Sequence, residues 1–141
     1  MKPEAHGLLD TNILILRRQI DHARLPDTMS ISTVTLAELS AGPHHTDDPA
    51  ERARRLDVLQ RAESEFDPLP FDAEAARAFG RVVAAVLAAG RKPRARTADL
   101  MIASVAIGNR LPLYTTNPDD FAGLDTLVTV VAVPLPGSLQ V

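Results

Sequence analysis

The sequence predicts an α/β fold built on a mostly parallel sheet. Short apolar segments of strand type alternate along the chain with longer segments of helical spacing. The helical segments open on capping residues or proline, and several close at glycine. No repeat, low-complexity tract or Ser/Gly linker interrupts the chain, so its 141 residues suit one domain, 1–141. At this length about 68% of the unfolded surface can be buried, enough for a core without staples.

The elements follow in order. "GLL" (7–9) is a short buried strand, after which Asp10, Thr11 or Asn12 can cap a helix running through "TNILILRRQ". "MSIST" (29–33) is a second strand of Ile and Thr type. "VTLAELSAG" (34–42) is a helix, with Gly42 expected as a left-handed stop and Pro43 just beyond. Pro49 opens a helix with Glu51 at its positive end. Leu56, Val58 and Leu59 give that helix a narrow apolar stripe, which predicts a peripheral place. "FDPLPF" (66–71) is extended, and its prolines predict an edge or a connection. Asp72 caps a helix whose apolar positions are read as Ala76, Phe79, Val83, Val86 and Leu87, ending at Gly90. Thr97 is expected to cap "ADLMIASVAIGNR", which is apolar on nearly all sides and so predicted to be buried. "LPLYTTN" is a strand, "PDDFAG" a helical turn and "LVTVVAV" the last strand.

Composition narrows the function. The chain has no cysteine, which excludes disulfides and thiolate metal sites and fits a reducing compartment. The first ten residues hold no apolar signal core, and no apolar run approaches the roughly 20 residues of a membrane helix. These features predict a cytoplasmic protein with no membrane partner. The net charge of −3 argues against a protein that coats nucleic acid. Yet from Ala75 to Ala98 there is no acid, and four of the six bases fall in "RKPRAR": Arg91, Lys92, Arg94 and Arg96. That run is either a solvated loop or a phosphate-contacting lip.

Several acids stand in apolar company. Asp10 directly follows the first strand, Glu38 lies one turn into the helix after the second, and Asp99 opens the most apolar helix. Asp119 and Asp120 lie just past the end of the fourth extended segment, in "TTNPDDF". Each has an ordinary explanation when taken alone. Asp10 can cap, Glu38 can face solvent, and Asp99 can complement its helix dipole for about 0.3–1 kcal/mol. Asp119 and Asp120 can be plain N-terminal residues after Pro118. Taken together they mean more, because in a parallel α/β sheet all these positions fall on one edge, at the carboxyl ends of the strands. Clustered carboxylates repel one another unless a cation neutralises them. An all-oxygen donor set predicts a hard ion, Mg²⁺ or Mn²⁺, able to bind a phosphate oxygen and activate water. Metal-assisted phosphodiester hydrolysis is the chemistry implied.

"LDTNILI", "STVTLAEL", "RTADLMIASVA" and "LYTTNPDDF" occur in the order and spacing of the PIN-domain ribonucleases. The chain resembles most the toxin members of bacterial VapBC-type toxin–antitoxin pairs, over nearly its whole length. The resemblance implies a three-layer α/β/α sandwich and Mg²⁺- or Mn²⁺-dependent cleavage of RNA. It implies catalytic roles for Asp10, Glu38, Asp99 and Asp120, with Asp10 and Asp99 the firmest metal ligands. Asn117, Asp119 and Asp120 compete for the fourth place, with Asp119 the weakest. Thr11, Asn12, Thr116 and Asn117 are the implied polar supports. Arg91, Lys92, Arg94 and Arg96 become candidates for contact with the RNA backbone. A cognate antitoxin and homodimerisation, with Phe79–Leu87 as interface material, are also implied.

Other readings are weaker. His44, His45, Asp47 and Asp48 lie in a polar loop after Pro43 and are read as surface. Ser104 lacks a G-x-S-x-G elbow, and no phosphate-binding glycine loop is present. A phosphatase with a D-x-D pair is disfavoured because Asn12 stands where the second acid would be. An inactive PIN-like module that only binds RNA or protein is the remaining alternative. It has no need of Asp10, Glu38 and Asp99 together.

Overall fold

The computed structural model describes residues 5–135. Its four strands are β1 (His6–Leu9), β2 (Thr28–Ser30), β3 (Leu113–Thr115) and β4 (Val130–Ala132), in spatial order β2-β1-β3-β4. Every pairing is parallel. The five α-helices are α1 (Thr11–Ile15), α2 (Thr33–Ala41), α3 (Pro49–Glu65), α4 (Ala73–Ala88) and α5 (Thr97–Gly108).

Successive strand residues point to opposite faces, which makes two cores. Leu8 and Leu113 pack with Val82, Val86, Leu100 and Phe121 beneath α4 and α5. Leu9 and Tyr114 pack with Ile13, Ile31 and Leu39 beneath α1 and α2. The sandwich of three layers is therefore present as expected. α3 is peripheral, burying only Ala62. Gly7 is required where it stands, since a Cβ there would lie 2.5 Å from the Tyr114 ring.

The sheet order sets the site. From β1 the chain goes to β2 on one side, then returns to β3 on the other. The gap between the carboxyl ends of β1 and β3 is thus the point where connections diverge, the usual ligand position in open parallel sheets.

Several local expectations give way. "TNILILRRQ" is not one helix: α1 ends at Ile15 and a 3-10 turn over Arg17–Gln19 follows. Asp10 is its cap, accepting from the Thr11 amide. β2 ends at Ser30, earlier than expected, because Ser32 leaves the strand to cap α2 through the Thr35 amide. Gly42 is right-handed (φ −51°, ψ −46°) and leads into a 3-10 turn, Gly42–His45. The reason lies in α3, whose Arg55 and Arg52 donate to the carbonyls of Gly42 and Pro43, so no left-handed stop is needed. Thr97 is the first residue of α5 instead of its cap, and Arg96 holds the cap position. In α4 the buried stripe is Ala75, Ala78, Val82 and Val86, while Ala76 and Leu87 are exposed. "FDPLPF" does lie at the edge, joined by a single bridge between Ser32 and Leu69.

Candidate metal centre and active site

Asp10 stands at the carboxyl end of β1 and is only 3% exposed. Its Oδ1 accepts from the Thr11 amide at 2.8 Å, and its Oδ2 accepts from Thr115 Oγ1 at 2.8 Å. Thr115 ends β3, so the two strands flanking the switch point share this bond. Thr115 Oγ1 accepts in turn from the Asn117 amide at 3.0 Å. Asn12 Oδ1 accepts from the Thr116 amide at 3.3 Å, which ties α1 to the chain after β3. The implied support from Thr116 is thus made by its backbone, and the side chain that supports Asp10 is Thr115.

Glu38 enters from α2, where its Oε1 accepts from Thr11 Oγ1 at 2.6 Å. Thr11 has a single hydroxyl proton, spent on Glu38, so the 3.0 Å contact with Thr35 Oγ1 must be donated by Thr35. Ser32 Oγ donates to Thr35 Oγ1 at 3.5 Å. A directed series of hydroxyls thus runs from the cap of α2 to the Glu38 carboxylate.

Asp99 lies in the first turn of α5. Among the described residues nothing donates a hydrogen bond to it. Burial first, then repulsion from Asp10, Asp120 and Glu38, pushes its pKa up to about 6, with Arg96 opposing. Asp10 is also raised by burial, while its bonds from Thr115 and Thr11 pull it back. Asp120 comes from the 3-10 turn Pro118–Phe121 after β3. Its Oδ1 accepts from Arg96 Nη1 at 3.0 Å and its Oδ2 from Asn117 Nδ2 at 2.9 Å. Asp120 acts on both Asp10 and Asp99 electrostatically, whereas Asp119 is exposed and acts on neither. Asn117 is a donor to Asp120.

Four acids from four separate elements therefore face one another electrostatically at the switch point. Among the described residues no three acidic or histidine side chains form a ready-made metal shell. The donor set fits a hard cation that keeps much of its water: it is all oxygen, it is crowded with negative charge, and a cation relieves that crowding. Residues 7–127 match the PIN domain family. The chain is 40% identical over 129 residues to Ribonuclease VapC5 of Mycobacterium tuberculosis, covering 89% of this chain and 93% of that one.

The chain belongs to the PIN-domain VapC ribonuclease family.

Solved structures agree with that placement. The VapBC-5 toxin–antitoxin structure from Mycobacterium tuberculosis matches with a TM-score of 0.80 and 37% identity, covering 93% of this chain and 99% of that one. DNA-bound VapBC from Salmonella typhimurium matches with a TM-score of 0.66 and 27% identity, covering 90% and 96%. The second relative by sequence, Ribonuclease VapC8 of Mycobacterium tuberculosis, is 35% identical over 101 residues, covering 71% and 89%.

In this PIN domain the basic run divides. Lys92 and Arg94 are exposed and Arg91 is half-buried, but Arg96 turns inward to Asp120. His44 and His45 are exposed, and Asp48 caps α3, in keeping with a plain surface loop. Beside Thr11 and Glu38 opens a groove of about 1030 Å³ between α1 and α3, floored by Leu14, Leu39 and Val58 and rimmed by ion pairs, Arg54 with Glu51 and Arg18 and Arg61 with Asp57. Sequence reasoning missed this groove, together with Thr35 and Thr115. Among the described residues no helix is long and apolar enough to cross a membrane.

Proposed function

We propose that this chain is a divalent-metal-dependent endoribonuclease, the toxin of a toxin–antitoxin pair, with Mg²⁺ or Mn²⁺ as its ion. The observation that carries the reading is the convergence of Asp10, Glu38, Asp99 and Asp120 at the switch point, with Asp10 held by two strands. Asp10 and Asp99 would hold such an ion, and Glu38 and Asp120 would orient water beside it. A bound ion would supply Lewis acidity and a ready source of nucleophilic water. The chain's own residues do the rest. Thr115 and the Thr11 amide hold the Asp10 carboxylate at one angle, and Thr11 Oγ1 does the same for Glu38. Arg91, Lys92 and Arg94 draw the RNA backbone to the rim without reading its sequence. One domain carries the whole activity, in the cytoplasm where its RNA is made.

The antitoxin takes the groove between α1 and α3. Its apolar floor suits the apolar face of an amphipathic helix, its rim of arginine–carboxylate pairs can meet charges of either sign beside that face, and one end opens beside Glu38. Homodimerisation uses the outer face of α4, where Leu87 is 59% exposed.

The deciding experiment is cleavage of a defined RNA by the purified chain with EDTA, then with Mg²⁺ or Mn²⁺ restored. Cleavage that stops and returns supports the proposal. Cleavage indifferent to metal refutes the mechanism, and no cleavage of any RNA under either ion favours a binding module.

A further inference from the structure

Arg96 departs from the behaviour expected of a basic loop residue. It stands at the cap position of α5, three residues before Asp99, so the same helix start fixes both. Its guanidinium crosses to the turn after β3 and pairs with Asp120 at 3.0 Å. Among the described residues this is the one ion pair made by any of the four acids. Both partners are about one-third exposed (30% and 29%), so the pair is partly shielded from water and from salt. Asn117 takes the other Asp120 oxygen. Asp120 thus has a full positive charge on one oxygen and an amide on the other, whereas Asp10 is held by neutral donors only.

The consequence concerns how many ions the pocket accepts. An ion at Asp10 and Asp99 uses carboxylates that are in no ion pair, Arg96 reaching Asp99 only through space and giving its direct contact to Asp120. An ion that also needed Asp120 would have to displace the Arg96 guanidinium or lie close against it, and like charges at such range repel strongly. We propose that Arg96 is a positioning residue that reserves Asp120, so that the pocket takes one divalent ion and resists a second. This rests on the metal reading of the pocket given above.

Titration of the purified full chain with Mn²⁺, following free ion by electron paramagnetic resonance, tests it without any need for turnover. Wild type should take one Mn²⁺. Arg96→Met should take a second, its affinity for that ion at least about tenfold tighter than wild type, the order expected on removing a neighbouring unit charge. Arg96→Met combined with Asp120→Asn should return to one, because the freed carboxylate is gone. Arg96→Lys keeps the charge and should stay at one. Arg96→Gln, which keeps a neutral donor, repeats the test should the methionine variant fail to fold. Unchanged stoichiometry and affinity in Arg96→Met, or in Arg96→Gln in its place, overturns the inference while leaving the metal reading intact. Wild type that binds no Mn²⁺ overturns both.

Discussion

The two carboxylates expected to hold the ion sit in opposite kinds of surroundings. Asp10 is enclosed at the junction of β1 and β3, with both oxygens occupied by fixed donors. Asp99 projects from the start of α5 with no donor from the described residues, and burial, followed by repulsion from its neighbours of like charge, pushes its pKa up to about 6. Asp10 is therefore pre-oriented by the scaffold, and Asp99 is kept under electrostatic pressure that only a proton or a cation relieves. A site built this way has one rigid reference point and one eager partner.

The contrast is open to direct attack. The largest effect expected is on RNA cleavage: Asp10→Asn and Asp99→Asn should each cost about 10³-fold or more, the scale of losing a charged group in metal-assisted catalysis. Rates within tenfold of wild type would remove both residues from the site. Next comes Thr115→Val, which leaves the buried Asp10 carboxylate short of one donor. A loss of about 2 kcal/mol in urea unfolding is expected, the usual cost of an orphaned buried polar group. No comparable donor can be removed from Asp99.

Asp99→Asn should instead stabilise the chain in EDTA, by about 1 kcal/mol once solvent screening of a half-exposed group is allowed for. A destabilised variant would mean that Asp99 is not under pressure. The smallest effect is the pH slope behind that gain. Asp99 has its pKa raised from 3.8 to about 6, so the folded state holds the proton more tightly than the unfolded state. Its contribution is fully present below pH 3.8 and is lost as pH rises through about 6. In EDTA the melting temperature of wild type should fall across that window, and that of Asp99→Asn should fall less.

The acids were legible because a carboxylate inside an apolar run is conspicuous whatever the fold. Their supports were not. Thr35 and Thr115 are ordinary residues for a helix and a strand, and only register decides that their hydroxyls face Thr11 and Asp10. The spacing of Thr35 and Glu38, one helical turn apart, was the available hint. α4 shows a different limit. Ala75/Ala78/Val82/Val86 and Ala76/Phe79/Val83/Leu87 both have helical spacing, and only the sheet chooses which stripe is buried. Gly42 carries no local sign that arginines from α3 will satisfy its turn. In each case the missing information is tertiary, whereas a mostly parallel sheet packed with helices follows from the alternation of elements alone.

The hydroxyl series Ser32–Thr35–Thr11–Glu38 has a consequence of its own. The same Ser32 oxygen that starts it also receives the Thr35 amide and so pins the first turn of α2. Fraying of that turn therefore slackens Glu38, and anything that tightens its hold on Glu38 should calm the turn. The Thr35 amide is then a built-in gauge: its rate of hydrogen–deuterium exchange should slow when the pocket is filled, though its link to Glu38 runs through Thr11.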